Sequence, residues 1–242
     1  MIAENILQVQ HNIAAACARA SRDTADVTLI AVSKTHPAEA VLEAVAAGVQ
    51  HFGENRVEEA QTKIPAVNEQ SQLPLTWHMI GHIQSRKAKE VVPLFNLVHS
   101  IDTVKLAAKL SNVALESDKK LDVLLEVNIS GEASKYGFQA TNWSDDAAVR
   151  TVLWEEVGQM LALPGIRVQG LMTMAPIVDD PEQARPVFAD LARLRLALAE
   201  SFKLDLPHLS MGMTDDYPVA VEEGATLVRV GRAIFGDRET RI

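Results

Sequence analysis

The chain of 242 residues has a single cysteine, Cys17, so no intrachain disulfide can form. Cys17 stands among alanines in a helical pattern and reads as a small buried apolar residue. No apolar run is long enough to span a bilayer. The N-terminal segment has no basic leader, and Glu4, Gln8, Gln10, His11 and Asn12 break its apolar pattern, so neither a signal peptide nor a membrane span is expected. Positive charge is scarce: 23 lysines and arginines face 32 acidic residues, for a net charge of −9. The one dense basic stretch, Arg86-Lys87-Ala88-Lys89, is followed at once by Glu90 and reads as a helix face. Nucleic acid and anionic membrane surfaces are therefore excluded as expected partners. There is no G-x-G-x-x-G after the first strand, no P-loop and no H-E-x-x-H. His78 and His82 are four apart, but on a strand-to-loop segment that spacing does not share a face, and no metal is expected. A cytoplasmic location and a monomer are the default expectations.

What the sequence does contain is alternation. After a helical segment over 2–21, Val27–Ser33 is a short β-branched run of the kind that makes a buried parallel strand. Further strands are predicted at 50–52, 77–80, 97–101, 121–129, 166–174, 207–211 and 226–230, with a helix between each pair. Pro37 opens the first of these helices and Gly48 ends it. Residues 130–144 form a polar loop, and Thr214-Asp215-Asp216 caps a helix that Gly224 stops. Strands alternating with helices make a parallel sheet, and eight such units close a barrel. The expected fold is α/β, a single (β/α)8 TIM barrel over residues 1–242 with an extra N-terminal helix; a doubly wound open sheet is the alternative.

Barrel chemistry stands at the C-terminal ends of the strands. If Lys34 points inward, so do Val32 and Ile30, which suits a branched apolar core. A partly desolvated lysine there is a nucleophile; the plain alternative is a solvated lysine in a loop. Arg229 shares parity with Leu227 on the strand that closes the barrel against strand one. An arginine beside a lysine is costly unless an anion or an acceptor lies between them. A phosphorylated aldehyde supplies both; pairing of Arg229 with Asp215 or Glu222 is the alternative. The loops Ser210-Met211-Gly212-Met213-Thr214 and Val230-Gly231-Arg232-Ala233 stand where barrels commonly seat phosphate.

Several stretches then resemble one family in order through nearly the whole chain: Ala31-Val32-Ser33-Lys34-Thr35, Phe52-Gly53-Glu54-Asn55, Trp77-His78-x-Ile80-Gly81-His82, Ser134-Lys135-x-Gly137, Leu209-Ser210-Met211-Gly212-Met213-x-Asp215-Asp216 and Val228-Arg229-Val230-Gly231. They resemble the YggS/PROSC family of pyridoxal 5′-phosphate (PLP) homeostasis proteins. The resemblance implies a fold like the N-terminal domain of alanine racemase, with PLP held as a Schiff base on Lys34. It implies that Arg229 faces the pyridine nitrogen, that Asn55 and His78 line the ring pocket, and that Ser210, Gly212, Gly231 and Arg232 hold the phosphate. Arg232 stands where relatives often carry threonine. No catalytic residue is assigned. An arginine can only donate to the ring nitrogen, which weakens the cofactor as an electron sink. The fold-related racemases take a second acid/base tyrosine from an additional β domain, for which this chain has no room, and neither Tyr136 nor Tyr217 has a clear claim to that role. The expected function is intracellular PLP homeostasis, as a carrier or regulator serving PLP-dependent apo-enzymes. The alternatives are a PLP-dependent amino-acid racemase and a Schiff-base aldolase using Lys34 without PLP.

Overall fold

The computed structural model describes residues 1–236. Its elements run α1 (Ile2–Arg19), β1 (Thr28–Val32), α2 (Ala38–Ala46), β2 (His51–Glu54), α3 (Val57–Gln70), β3 (Thr76–Met79), α4 (Ala88–Leu94), β4 (Leu97–Ile101), α5 (Val104–Glu116), β5 (Leu121–Asn128), β6 (Phe138–Gln139), α6 (Ala147–Leu161), β7 (Ile166–Met172), α7 (Arg185–Phe202), β8 (His208–Ser210), α8 (Tyr217–Glu222), β9 (Leu227–Val230) and α9 (Arg232–Phe235). All strand pairs are parallel. The order β4-β3-β2-β1-β9-β8-β7-β5, with β4 also on β5, closes a barrel of eight strands. The two-residue strand β6 lies outside the ring and pairs only with β5. The open sheet is therefore excluded.

Parity decides what fills the barrel. Ile30, Leu97, Leu124, Met172 and Leu227 form a small interior cluster, as branched and long apolar side chains do in barrel layers. The intervening strand residues, such as Ala31, Phe52, Trp77, Val123 and Val228, join the larger core between strands and helices. α1 stands outside the eightfold repeat. It buries Ile6, Val9, Ile13, Ala16 and Cys17. It is tied to the C-terminal elements by Asn5 Nδ2 donating to the Ile234 carbonyl (2.9 Å) and Asn12 Nδ2 to the Tyr217 hydroxyl (2.9 Å).

Three details differ from the sequence-based expectation. β2 extends through Glu54, which therefore belongs to the barrel wall and not to the loop. The segment after β5 is not all loop, because β6 pairs Val127 with Phe138. Asp216, expected to help cap α8, makes no side-chain cap there; its carboxylate turns back and accepts from Met213 N at 2.6 Å, bracing the β8 loop.

Candidate functional site

The mouth at the C-terminal strand ends collects most of the expected residues. Lys34 follows β1 and is half-buried. Its inward neighbours Ile30 and Val32 lie over Gly53, where an added Cβ would come within 3.1 and 3.5 Å of them. Thr35, directly after Lys34, has φ +68°, a left-handed conformation that a β-branched residue rarely adopts. Asn55 follows β2, and its Oδ1 is buried without a hydrogen-bond partner. Gly81 is required beside it, since a Cβ there would sit 2.2 Å from the Asn55 carbonyl oxygen.

Across the β1–β9 seam, Arg229 pairs in register with Ile30 and is 5% exposed. Its guanidinium donates to the Ser210 hydroxyl and to the Thr173 carbonyl (2.9 Å). Those partners end β8 and follow β7, so the charge lies on the floor of the mouth. Burial lowers its pKa to about 10, against the opposing charges of Asp216 and Glu126, and it stays protonated at neutral pH. The pairing of Arg229 with Asp215 or Glu222 is not formed. Asp215 takes Arg232 (2.6 and 2.7 Å), and Glu222 takes Arg19 and Arg185 (both 2.6 Å).

The two phosphate-seat loops meet through that Arg232–Asp215 pair, which joins the β8 loop to the start of α9. The Arg232 guanidinium is thus turned to a carboxylate. Gly212 has φ +89°, and a Cβ there would meet the Ala220 Cβ at 2.6 Å. At Gly231 a Cβ would stand 3.2 Å from the Val32 carbonyl oxygen, which links this loop to the strand carrying Lys34.

His78 is not an open wall of the mouth. It is 2% exposed, and both ring nitrogens are engaged, Nε2 with His51 Nδ1 (3.0 Å) and Nδ1 with His99 Nε2 (2.9 Å). His99 Nδ1 then meets the Ser210 hydroxyl at 2.8 Å. A continuous row of polar groups therefore crosses the interior from β2 to Arg229. Burial holds all three rings neutral: the pKa of His78 falls to about 3, that of His51 is lowered, and that of His99 lies well below the ordinary range.

Several groups at the mouth were given no site role from sequence. Glu126, two residues above the interior Leu124, is buried, and burial followed by the charge of Asp102 raises its pKa to about 7. His82 Nδ1 pairs with Asp102 at 3.0 Å, and Tyr136 stacks on His82 with ring centroids 4.2 Å apart. The loop after β5 folds back over its strand: Gly131 N donates to Asn128 Oδ1 (2.9 Å), and a Cβ at Gly137 would stand 2.6 Å from the Glu126 carbonyl oxygen. Tyr136 therefore reaches from the loop after β5 to the loop after β3, where its ring lies on His82. The alternation Leu124, Glu126, Asn128 was the available signal for Glu126. Among the described residues no group of three or more His, Cys, Asp or Glu side chains is arranged to hold a metal ion, and no helix is long and apolar enough to cross a membrane.

The model of the alanine racemase N-terminal domain matches residues 5–239. A pyridoxal phosphate homeostasis protein of Pseudomonas aeruginosa is 44% identical over 238 residues, covering 98% of this chain and 96% of the relative. The chain belongs to the pyridoxal phosphate homeostasis protein family. Within that family, the structure of PipY from Synechococcus elongatus with PLP bound superposes with a TM-score of 0.81 at 36% identity, covering 98% of this chain and all (100%) of that one. Alanine racemase of Clostridium difficile shares the barrel alone, with a TM-score of 0.67 at 14% identity over 96% of this chain and 60% of the racemase.

Proposed function

We propose that this chain binds PLP as a Schiff base on Lys34 and serves PLP homeostasis as a carrier or regulator without robust catalysis. The observation that carries the reading is Arg229, a buried donor fixed on the floor of the mouth one strand away from Lys34. Ile30 is level with Arg229, and Lys34 follows the same strand just beyond its end at Val32.

The residues present fit the cofactor. Asn55 Oδ1 is a buried acceptor without a partner, and Gly212 and Gly231 allow their two loops to pack closely on α8 and on β1 where a side chain would collide or crowd. When bound, PLP supplies an aldehyde for the lysine amine and an aromatic ring able to take up electron density. The chain's residues temper that second property. Arg229 carries no acceptor, so it holds the ring nitrogen by donation and supplies it no proton. In this reading Gly212, Gly231 and the backbone of Arg232 receive the phosphate. The Ser210 hydroxyl, engaged by Arg229 and His99, orients the arginine as well as bordering the phosphate seat. His78 supports the ring pocket from below through His99. On the same reading residues 1–242 work as one PLP-binding domain, a cytoplasmic monomer that meets PLP-dependent apo-enzymes.

The test is the absorption spectrum of the purified protein with PLP, followed by borohydride reduction and peptide mapping. A yellow band that bleaches, with the pyridoxyl group on Lys34, is expected. A protein that stays colourless and unmodified sinks the covalent reading and favours a Schiff-base aldolase without PLP. A racemase is the second reading, with Tyr136, whose ring stacks on His82 at the mouth, as its candidate acid/base group. Turnover of alanine or serine enantiomers that Tyr136→Phe abolishes would establish it; the carrier reading expects none.

A further inference from the structure

A second buried lysine lies behind the first. Ser33 and Glu54 have the outward parity of β1 and β2, and both are fully buried (0% exposed) under α3. Lys63, on α3, enters that space and is 7% exposed. Its ammonium donates to three acceptors: the Ser33 carbonyl at 2.8 Å, Glu54 Oε1 at 2.9 Å and Glu59 Oε1 at 2.5 Å. The Ser33 hydroxyl also donates to Glu54 Oε1 at 2.7 Å. Glu59 Oε1 in turn accepts the backbone N–H of Thr35 at 2.7 Å. The residues on either side of Lys34 are therefore held by one ionic cluster outside the barrel wall.

We propose that Lys63, Glu54 and Glu59 are positioning residues for Lys34: their buried cluster anchors Ser33 and holds Thr35 in its left-handed conformation, and so fixes the turn that presents the Lys34 amine to the mouth. A threonine at φ +68° persists only where its surroundings over-determine it, and the Glu59 carboxylate is the group that takes its N–H. A buried ion pair is weak evidence of stabilisation by itself, whereas fixing one geometry among several is its best-attested use. The inference rests on the reading of Lys34 as the attachment residue.

The test uses the full chain stripped of PLP. Hydrogen exchange of the Thr35 amide is measured first, without cofactor. The rate of appearance of the bleachable Lys34 band on adding PLP is measured second. Glu59→Ala removes the Thr35 acceptor from a side chain that is one-quarter exposed (25%), so it leaves the core intact. The expected result is exchange and band formation each changed by about tenfold or more, exchange faster and band formation slower, as small misplacements of reacting groups can cost about a hundredfold. Glu59→Ala/Thr35→Gly is expected to restore band formation, because glycine adopts that φ unaided. Lys63→Arg is expected to hold the band rate nearer wild type than Lys63→Met. If Glu59→Ala and a folded Lys63→Met form the band at the wild-type rate, the proposal is overturned. If wild type gives no pyridoxyl adduct on Lys34, the attachment reading falls, while Thr35 exchange still decides whether the cluster holds the turn.

Discussion

At the scale of single residues the mouth is a set of groups whose ordinary protonation is disturbed by burial. Glu126 is the clearest case, because its folded-state pKa of about 7 lies above the ordinary 4.5. The folded protein binds more protons than the unfolded chain between those values, so this group's stabilisation is complete below the lower one and is lost as pH rises through the upper. Glu126→Gln should therefore flatten the decline in unfolding free energy between about pH 5 and about pH 8, and exceed wild type at the upper end by up to about 3 kcal/mol. Urea denaturation at a series of pH values checks this; parallel curves would show that Glu126 titrates normally. The buried histidines act in the opposite sense. His78, lowered to about 3, makes stability fall as pH drops below about 6.5, so the Glu126 effect is read as a difference from wild type. Arg229 was legible in the sequence because strand parity alone ranks it with Leu227. Lys63 was not: a lysine in a helical pattern reads as solvated until the face of α3 that meets β1 is known.

At the scale of elements, β7 carries one of the barrel's two register shifts, the other lying between β4 and β5. Its register against β5 slips between Val123, opposite Val168, and Leu124, opposite Gly170. A bulge puts an extra residue in one strand and re-aims the side chains beyond it. Gly170 takes φ +154°, and a Cβ there would lie 1.9 Å from the His208 carbonyl oxygen of β8. Gly170→Ala should cost roughly 3 kcal/mol or more through strain and backbone displacement. Gly48→Ala, with φ +91° but nothing within 4 Å of its Cβ, should cost only about 1 kcal/mol. Thermal unfolding of the two variants decides it, and equal losses would refute the role given to the bulge. The helices and most strand limits could be read from caps, prolines and β-branched runs. β6 could not, because two residues carry no period and its pairing with Val127 exists only once the loop has folded back.

At the scale of the whole molecule, the ring of eight parallel strands brings together residues that no local pattern relates. His51 and His78, 27 apart, meet across the adjacent strands β2 and β3, whereas His99 and Ser210, 111 positions apart, meet only because the barrel closes. This is why the set of mouth residues was largely available from sequence while the bonding among them was not. Closure also constrains protons. Each neutral imidazole carries a single N–H, so in the row His51–His78–His99 every ring must donate in the same direction. Only two self-consistent patterns exist: in one, Ser210 donates to His99; in the other, His99 donates to Ser210 and the hydroxyl proton is released toward the mouth. An acceptor seated at Ser210 requires the second pattern, and so inverts all three tautomers together where Ser210 donates to His99 in its absence. The nitrogen-15 resonances of His51, at the far end of the row from the mouth, should therefore exchange their protonated and unprotonated positions when phosphate or PLP is added. In that sense the barrel's floor reads out what its mouth has bound.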